Sequence, residues 1–306
     1  MHGDKNRSMS VRGAALLAMA SQMGAFSIQF IASVVLARWF IDPDELGLFT
    51  IAFSFVSLLA VLQEFGINRY VAGEKELDDE KIRTAFTVSL IVSWTIAVLC
   101  VLLSWPAAAF YDLPGLLPLL LVVAASYFFV PLATVPMALL HRNMDFRSNT
   151  MIEIGVVLTS AAVAISLAWH GYGAIALAWG AFAQQVARAG IAQWRVGGKL
   201  PIPPRIEGAV PVLKFGGAST VLQALSQLGS RMPELMIGRL LDTVAVGLFA
   251  RAYGLAWQLR WLVSGGLATV FYPAFARFRD RGDPLGPHYE RVTASFTAIT
   301  LSLIHI

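Results

Sequence analysis

Ionisable side chains inside apolar stretches are the residues of this sequence best placed to do chemistry. Arg231 and Glu234 lie on one predicted helix, and Arg251 and Arg260 lie on the next. A charged group within a membrane span is costly and is therefore a candidate for function by default. The forked donors of arginine suit phosphate oxygens. We therefore predict that Arg231 and Arg251 face a cavity and bind an anionic group, with Arg260 as a further cavity candidate.

A purely structural role for these charges stays open. Arg231 and Glu234 are three residues apart, so they can pair on one face of a helix. Arg251 and Arg260 are nine residues apart and point in opposite directions on an ideal helix. In this alternative Arg231 pairs with Glu234, and the other two arginines extend toward opposite membrane surfaces.

Uncharged polar side chains form a second set of cavity candidates. Gln22 and Gln29 share a face of the first predicted helix, and Gln223 and Gln227 share a face of the seventh. Such groups often form hydrogen bonds between membrane helices. A cavity that handles sugars would need the same groups, so both roles remain open.

Two stretches about 200 residues apart share the pattern R-x-x-(x)-D-x4-G-L-F-x-x-A-[F/Y]. One copy begins at Arg38 and the other at Arg239. Six predicted helices separate them, so both copies have the same topology, as in a parallel repeat. The arginines lie at helix ends near Asp42 and Asp242, and we predict outer-face ion pairs there in preference to substrate contacts.

The composition is that of a membrane protein. Of the 306 residues, 57% are hydrophobic and 14% are charged, and the mean hydropathy is +0.66. A soluble domain carries about 25% charged residues. This composition excludes an ordinary soluble enzyme, a disordered chain and a nucleic-acid-binding domain. The single cysteine, Cys100, lies in an apolar run and is predicted to be an inert buried thiol.

A membrane span takes about 20 residues, and apolar runs of about this length follow one another along the chain. They lie at 13–37, 46–63, 84–111, 113–140, two within 150–192, 215–238, 245–270, and from about 292 onward. The turn signal at 170–173 divides the run 150–192 into two helices. Prolines within 113–140 predict a bent helix.

The basic residues predict the orientation. Of the 23 Lys and Arg residues, 18 lie on the side of the N-terminus and two, Arg38 and Arg239, lie in the opposite turns. Because basic loops stay in the cytoplasm, the N-terminus is predicted to be cytoplasmic. The fold class is all-α and polytopic. We predict a first transmembrane lobe (1–192), a basic cytoplasmic connector (193–214) and a partial second lobe (215–306).

The sequence lacks the usual signatures of covalent chemistry. It contains no phosphate-binding loop, no nucleophile elbow and no cluster of metal ligands. We therefore predict transport without catalysis, with no cofactor and no metal.

Several segments together resemble the polysaccharide-exporter family of oligosaccharide flippases, in the superfamily of multidrug and toxin extruders. They are Gln29, Arg38, 47–49, 141–147 and 271–277. The resemblance implies a two-lobed, MATE-like helix bundle around a central cavity. It also implies export of undecaprenyl-pyrophosphate-linked oligosaccharide repeats across the bacterial cytoplasmic membrane, for O-antigen, capsule or exopolysaccharide synthesis.

The same resemblance implies partners and a chain length. The partners would be the lipid-linked oligosaccharide, membrane lipid, and the polymerase and glycosyltransferase of the same pathway, with no nucleic acid. The family pattern has two six-helix lobes, so a truncated chain is expected here, with about three helices of the second lobe. Residues 301–306 are similar to translated adapter sequence and are expected not to be native.

Three other functions are compatible with parts of the sequence. A cation-coupled multidrug extruder would use carboxylates embedded in the membrane, but in the first lobe Glu64 and Glu153 lie only at the edges of spans. A non-transporting membrane scaffold predicts no wet cavity between lobes. A membrane glycosyltransferase would need catalytic carboxylates near a large loop, and the longest loops here are short and basic.

Overall fold

The computed structural model describes residues 11–64, 71, 77–143, 145–198, 205 and 209–258, and single positions or short stretches from 286 to 301. The described residues are helical apart from short turns and caps. The predicted site residue Arg260, the segment 271–277, most of the predicted ninth helix and residues 302–306 lie outside the described residues.

The helices follow the apolar runs of the sequence. They are α1 Val11–Trp39, α2 Pro43–Ala60, α3 Asp79–Tyr111, α4 Leu116–Ser126, α5 Val130–Arg142, α6 Phe146–Trp169, α7 Ala174–Val196 and α8 Ala209–Leu240, then α9 at 243–258. A 3-10 turn at Val61–Glu64 follows α2. The predicted all-α class and the order of these helices are confirmed.

Aspartates set several of the helix starts. Asp42 is the N-cap of α2, and the Glu45 side chain accepts a hydrogen bond from its backbone N–H at 3.2 Å. Asp78 accepts the backbone N–H of Lys81 at 2.8 Å at the start of α3. Carboxylates at these positions satisfy N–H groups that lack partners within the helix.

The predicted bend in the fourth apolar run is confirmed. α4 and α5 meet at 44° across the break at 127–129. Within α5, Pro136 has no N–H to donate to the carbonyl of Leu132. The Gln193 side chain of α7 donates to that carbonyl instead, with Nε2 2.9 Å from the oxygen. A glutamine on the neighbouring helix therefore satisfies the backbone group that the proline leaves free.

Three of the described helices, α2, α3 and α6, are each long and apolar enough to cross a membrane, and the bent pair α4–α5 would make a fourth. The crossings predicted for the other helices stay predictions. Large apolar side chains such as Ile31, Leu102 and Trp105 point outward, as expected of a surface in lipid.

The largest buried cluster lies between α2, α3, α4, α7 and the start of α9, with Ile51, Ile96, Leu120 and Val246 fully buried. Cys100 is buried in the same cluster, as predicted. Small side chains let the helices approach closely. A Cβ atom on Gly180 of α7 would lie 3.0 Å from the Cβ of Ala164 on α6.

The chain divides after Leu248 into two compact units. The lobe boundary predicted at 193–214 lies well before this division. α8 packs against α2 and α3 and so belongs to the first unit. The two-lobed arrangement itself stays a prediction.

Candidate functional site

Arg231 and Glu234 form an ion pair within α8, with Nη1 3.2 Å from Oε2. The Glu234 side chain is 5% exposed and the Arg231 side chain 27% exposed. The Ser54 hydroxyl of α2 donates to the same Glu234 oxygen. One carboxylate oxygen therefore accepts from both helices, and it joins α8 to α2 inside an apolar layer.

The Arg231 guanidinium lies over the Phe53 ring, with Cζ 5.4 Å from the ring centroid. Its Nε is buried and has no hydrogen-bond partner among the residues that the structure describes. An aromatic face stabilises a cation but takes none of its hydrogen bonds. Because the Nε is buried, an anionic ligand would have to meet the exposed part of the side chain, which is 27% exposed.

Two further contacts position this part of α8. The Tyr111 hydroxyl at the end of α3 donates to the Leu235 carbonyl at 3.1 Å. A Cβ atom on Gly238 would lie 2.6 Å from Cδ1 of Ile51, so the missing side chain lets α8 approach α2. The part of α8 that follows Glu234 is thus positioned by contacts with both α3 and α2.

The glutamines predicted to line a cavity divide between two helices. Gln223 and Gln227 precede Arg231 at intervals of four residues on α8 and share its face. All three are half-buried. Gln22 and Gln29 are exposed on α1, a helix that packs on α6. The structure thus aligns three candidates along α8, whereas the α1 pair lies on a different helix.

The second arginine of the predicted pair lies in the other unit. Arg251 is half-buried in α9, beyond Leu248. Within that unit Phe249, Tyr253 and Trp257 form a stacked row, with neighbouring centroids 5.5 and 6.4 Å apart. A shared site for Arg231 and Arg251 stays a prediction.

The outer turns place their charges differently from the prediction. Within the described residues, Arg38 does not pair with Asp42, nor Arg239 with Asp242. Asp242 accepts the backbone N–H of Ala245 at 2.7 Å and so caps α9, as Asp42 caps α2. The Arg239 guanidinium lies 5.1 Å from the centroid of the Phe110 ring. Capping satisfies these carboxylates because each directly precedes a helix.

A separate polar network lies at the other end of α6 and α7. The Ser148 hydroxyl donates to Asp145 at 2.5 Å and accepts from Arg195 Nε at 2.8 Å. Burial raises the pKa of Asp145, but the hydrogen bonds from Ser148 and the charge of Arg195 outweigh it, so the pKa lies below its usual value. Nearby, Arg188 pairs with Glu153 at 3.4 Å. This network fastens the start of α6 to the end of α7.

Ser54 and Phe53 are site residues that the sequence did not predict. Both lie on α2, about 180 residues before Arg231. The sequence signal for Ser54 is a hydroxyl in a mostly apolar run that also contains Thr50 and Ser57. Serine is common in membrane helices for packing alone, so that signal is weak.

The profile of the family described as "Polysaccharide biosynthesis protein" matches residues 35–305. The lipopolysaccharide biosynthesis protein WzxC of Escherichia coli is 23% identical, covering 94% of this chain and 58% of WzxC. The succinoglycan biosynthesis transport protein ExoT of Rhizobium meliloti is 22% identical, covering 84% and 52%.

A third relative is the amylovoran biosynthesis protein AmsL of Erwinia amylovora, 24% identical over 69% of this chain and 55% of AmsL. The chain spans about half the length of the curated relatives it matches. No solved structure matches it.

Proposed function

Because this chain belongs to the polysaccharide biosynthesis protein family, we propose that it exports lipid-linked oligosaccharides across the cytoplasmic membrane. The chain is a multi-pass membrane protein, and a relative carries the name of a succinoglycan biosynthesis transport protein. The proposed cargo is an undecaprenyl-pyrophosphate-linked repeat unit used for O-antigen, capsule or exopolysaccharide. The polymerase and glycosyltransferase of the same pathway are its proposed partners.

The observation that carries this proposal is the partly exposed guanidinium of Arg231 in an apolar helix layer. Its side chain is 27% exposed, and its Nη1 already binds one anionic oxygen, that of the Glu234 carboxylate. Arginine presents a planar fork of donors that fits two phosphate oxygens at once. Arg231 would bind the diphosphate of the lipid carrier during its passage.

The polar row on α8 supports a role in passing sugars. Gln223 and Gln227 lie on the same face as Arg231, one and two turns along the helix. Amide groups both donate and accept hydrogen bonds, as sugar hydroxyls do. In this proposal the diphosphate binds at Arg231 while the glutamines contact the attached sugars, and no covalent bond is made or broken.

The proposed path runs from a cytoplasmic N-terminal side to the outer face. Basic segments collect on the side of the N-terminus, which favours that side in the cytoplasm. The N-terminal part of α8 would then be cytoplasmic, and Arg231 would lie in the outer half of the membrane. The two-lobed arrangement around a wet cavity belongs to the same proposal.

The test is made in the native gene of the source bacterium. Deletion is expected to remove surface polysaccharide and to leave lipid-linked repeat units on the cytoplasmic side. Complementation with Arg231→Gln is expected to restore less than a tenth of the wild-type surface polysaccharide, whereas Arg147→Gln, at an exposed position of α6, restores it fully. Normal surface polysaccharide in the deletion strain would refute the proposal.

A second candidate is a cation-coupled multidrug extruder, and Glu234 favours it. Such extruders use carboxylates embedded in the membrane, and Glu234 is a buried one. The two functions differ in what a deletion changes. A deletion strain that becomes sensitive to cationic drugs and keeps its surface polysaccharide would support the extruder.

A further inference from the structure

The two copies of the sequence repeat contact each other through equivalent glycines. A Cβ atom on Gly47 would lie 1.7 Å from the carbonyl oxygen of Thr243, and one on Gly247 would lie 1.8 Å from that of Pro43. Each glycine lies four residues after the proline or threonine of its own copy. The contact is therefore reciprocal, as expected of two related turns facing each other about a local two-fold axis.

Any side chain larger than hydrogen would push these two backbones apart. The atoms that a Cβ would meet are carbonyl oxygens, which cannot rotate away as a side chain can. Glycine at both positions is thus a requirement of the contact. Because a glycine recurs at the same place in each copy, both backbones can come this close.

The rim of the contact is polar, whereas Val246 beside it is fully buried in the largest apolar cluster. The Thr243 hydroxyl donates to the Asp44 carboxylate across it. Asp44 and Leu248 are exposed, while Val246 and the glycines are buried. The N-terminal ends of α2 and α9 meet here, so two positive dipole ends lie close together and carboxylates offset their repulsion.

The contact lies on one side of the proposed phosphate-binding site at Arg231 and Glu234. Ser54, which holds Glu234, lies seven residues or about 10 Å along α2 from Gly47. In the proposed orientation this side is the outer face. A molecule leaving Arg231 outward would pass the two turns.

We propose that the Gly47–Gly247 contact is the closed outer gate of the export path, and that the two turns separate in each transport cycle. This inference rests on the proposed export function. In two-lobed transporters one repeat rocks against the other around a central site. A backbone contact between equivalent turns suits such a movement, because at the two glycines no side chains interlock across it.

A cysteine pair tests whether the contact must open. Asp44→Cys and Thr243→Cys are introduced together in the native gene, since these two side chains touch. Oxidation is expected to cross-link them, detected by mass spectrometry, and to reduce export at least tenfold until a reductant is added. Each single variant, treated in the same way, keeps the level of export that it has before oxidation. A complete cross-link with unchanged export would overturn the gate, and so would failure of the pair to cross-link.

Thiol labelling gives a readout that does not depend on the cargo. A Thr243→Cys reporter is labelled in intact cells with a membrane-impermeant maleimide. Gly47→Ala is expected to increase its labelling rate several-fold, because the turns can no longer close. The matched control is Gly229→Ala in α8, where a Cβ meets no atom within 4 Å, and labelling there stays at the parental rate.

The outcomes separate the gate from the export function. If the Gly47→Ala protein accumulates normally and its labelling rate is unchanged, the gate is overturned. If that variant does not accumulate, the cross-linking experiment decides the question. If the two turns open and close but deletion of the gene leaves surface polysaccharide unchanged, the proposed cargo is refuted and the gate is not.

Discussion

Replacing Arg231 by methionine is expected to destabilise the protein and to abolish export, and a second substitution separates the two effects. Arg231→Met leaves the Glu234 carboxylate, 5% exposed, without its cation. Removing one partner of a buried pair costs about 3–5 kcal/mol. Adding Glu234→Gln removes the remaining charge and keeps an acceptor for the Ser54 hydroxyl.

The double variant is therefore expected to recover most of the lost stability. Hydrogen bonds between membrane helices contribute about 0.6 kcal/mol on average, so the remaining loss should be near 1 kcal/mol. At roughly 2–4 °C per kcal/mol, Arg231→Met should lower the apparent melting temperature by on the order of 10 °C. The double variant should lower it by only about a third of that.

The effects of these variants on export should not parallel their effects on stability. Neither variant has the guanidinium, so neither should restore surface polysaccharide to a deletion strain, however stable it is. Glu234→Gln alone keeps Arg231 over the Phe53 ring and should retain export. Melting curves of purified protein in detergent and surface polysaccharide are measured for all three.

Two results would refute this reasoning. Wild-type export by the stable double variant would show that Arg231 does not bind the cargo. A melting temperature of Arg231→Met equal to that of the parent would show that Glu234 does not depend on its cation.

Two further predictions concern the ends and bends of helices. Gln193→Leu leaves the Leu132 carbonyl without the donor that Pro136 cannot supply, and should cost about 1–2 kcal/mol in the same melting assay; an unchanged melting temperature would mean that another group satisfies the carbonyl. Asp145→Ala removes the N-cap of α6 and should cost about 1 kcal/mol at neutral pH. Because the pKa of Asp145 lies below its ordinary value of 3.8, its contribution is complete above that value and is lost as the pH falls through the lower native pKa. The variant should therefore lose less stability on acidification than the parent, and an equal loss in both would contradict this.

The bounds and bends of the helices were predictable because they depend on neighbours along the chain. Apolar runs of sufficient length gave α1 to α8, and prolines gave the bend between α4 and α5. The pairing of Arg231 with Glu234 was one of two alternatives open in the sequence, since residues three apart on a helix meet whatever surrounds them. Short-range geometry settles features of this kind.

The partners across helices were not predictable. Membrane helices are apolar on nearly every face, so the periodicity that shows which side of a soluble helix is buried is weak here. Ser54 and Phe53 therefore gave no clear sign that they would meet Arg231. The same lack of periodicity hid the donation from Gln193 to Leu132.

The repeat shows most clearly which features depend on local sequence and which depend on tertiary structure. The sequence by itself determined that two turns share a pattern, that each starts a helix with an aspartate, and that each carries a glycine at the same place. Only the tertiary structure decided that the turns face each other and that the glycines allow the contact. The reason is physical: a cap or a turn is stabilised by residues within a few positions, whereas a backbone contact between residues 200 positions apart depends on how all the intervening helices pack.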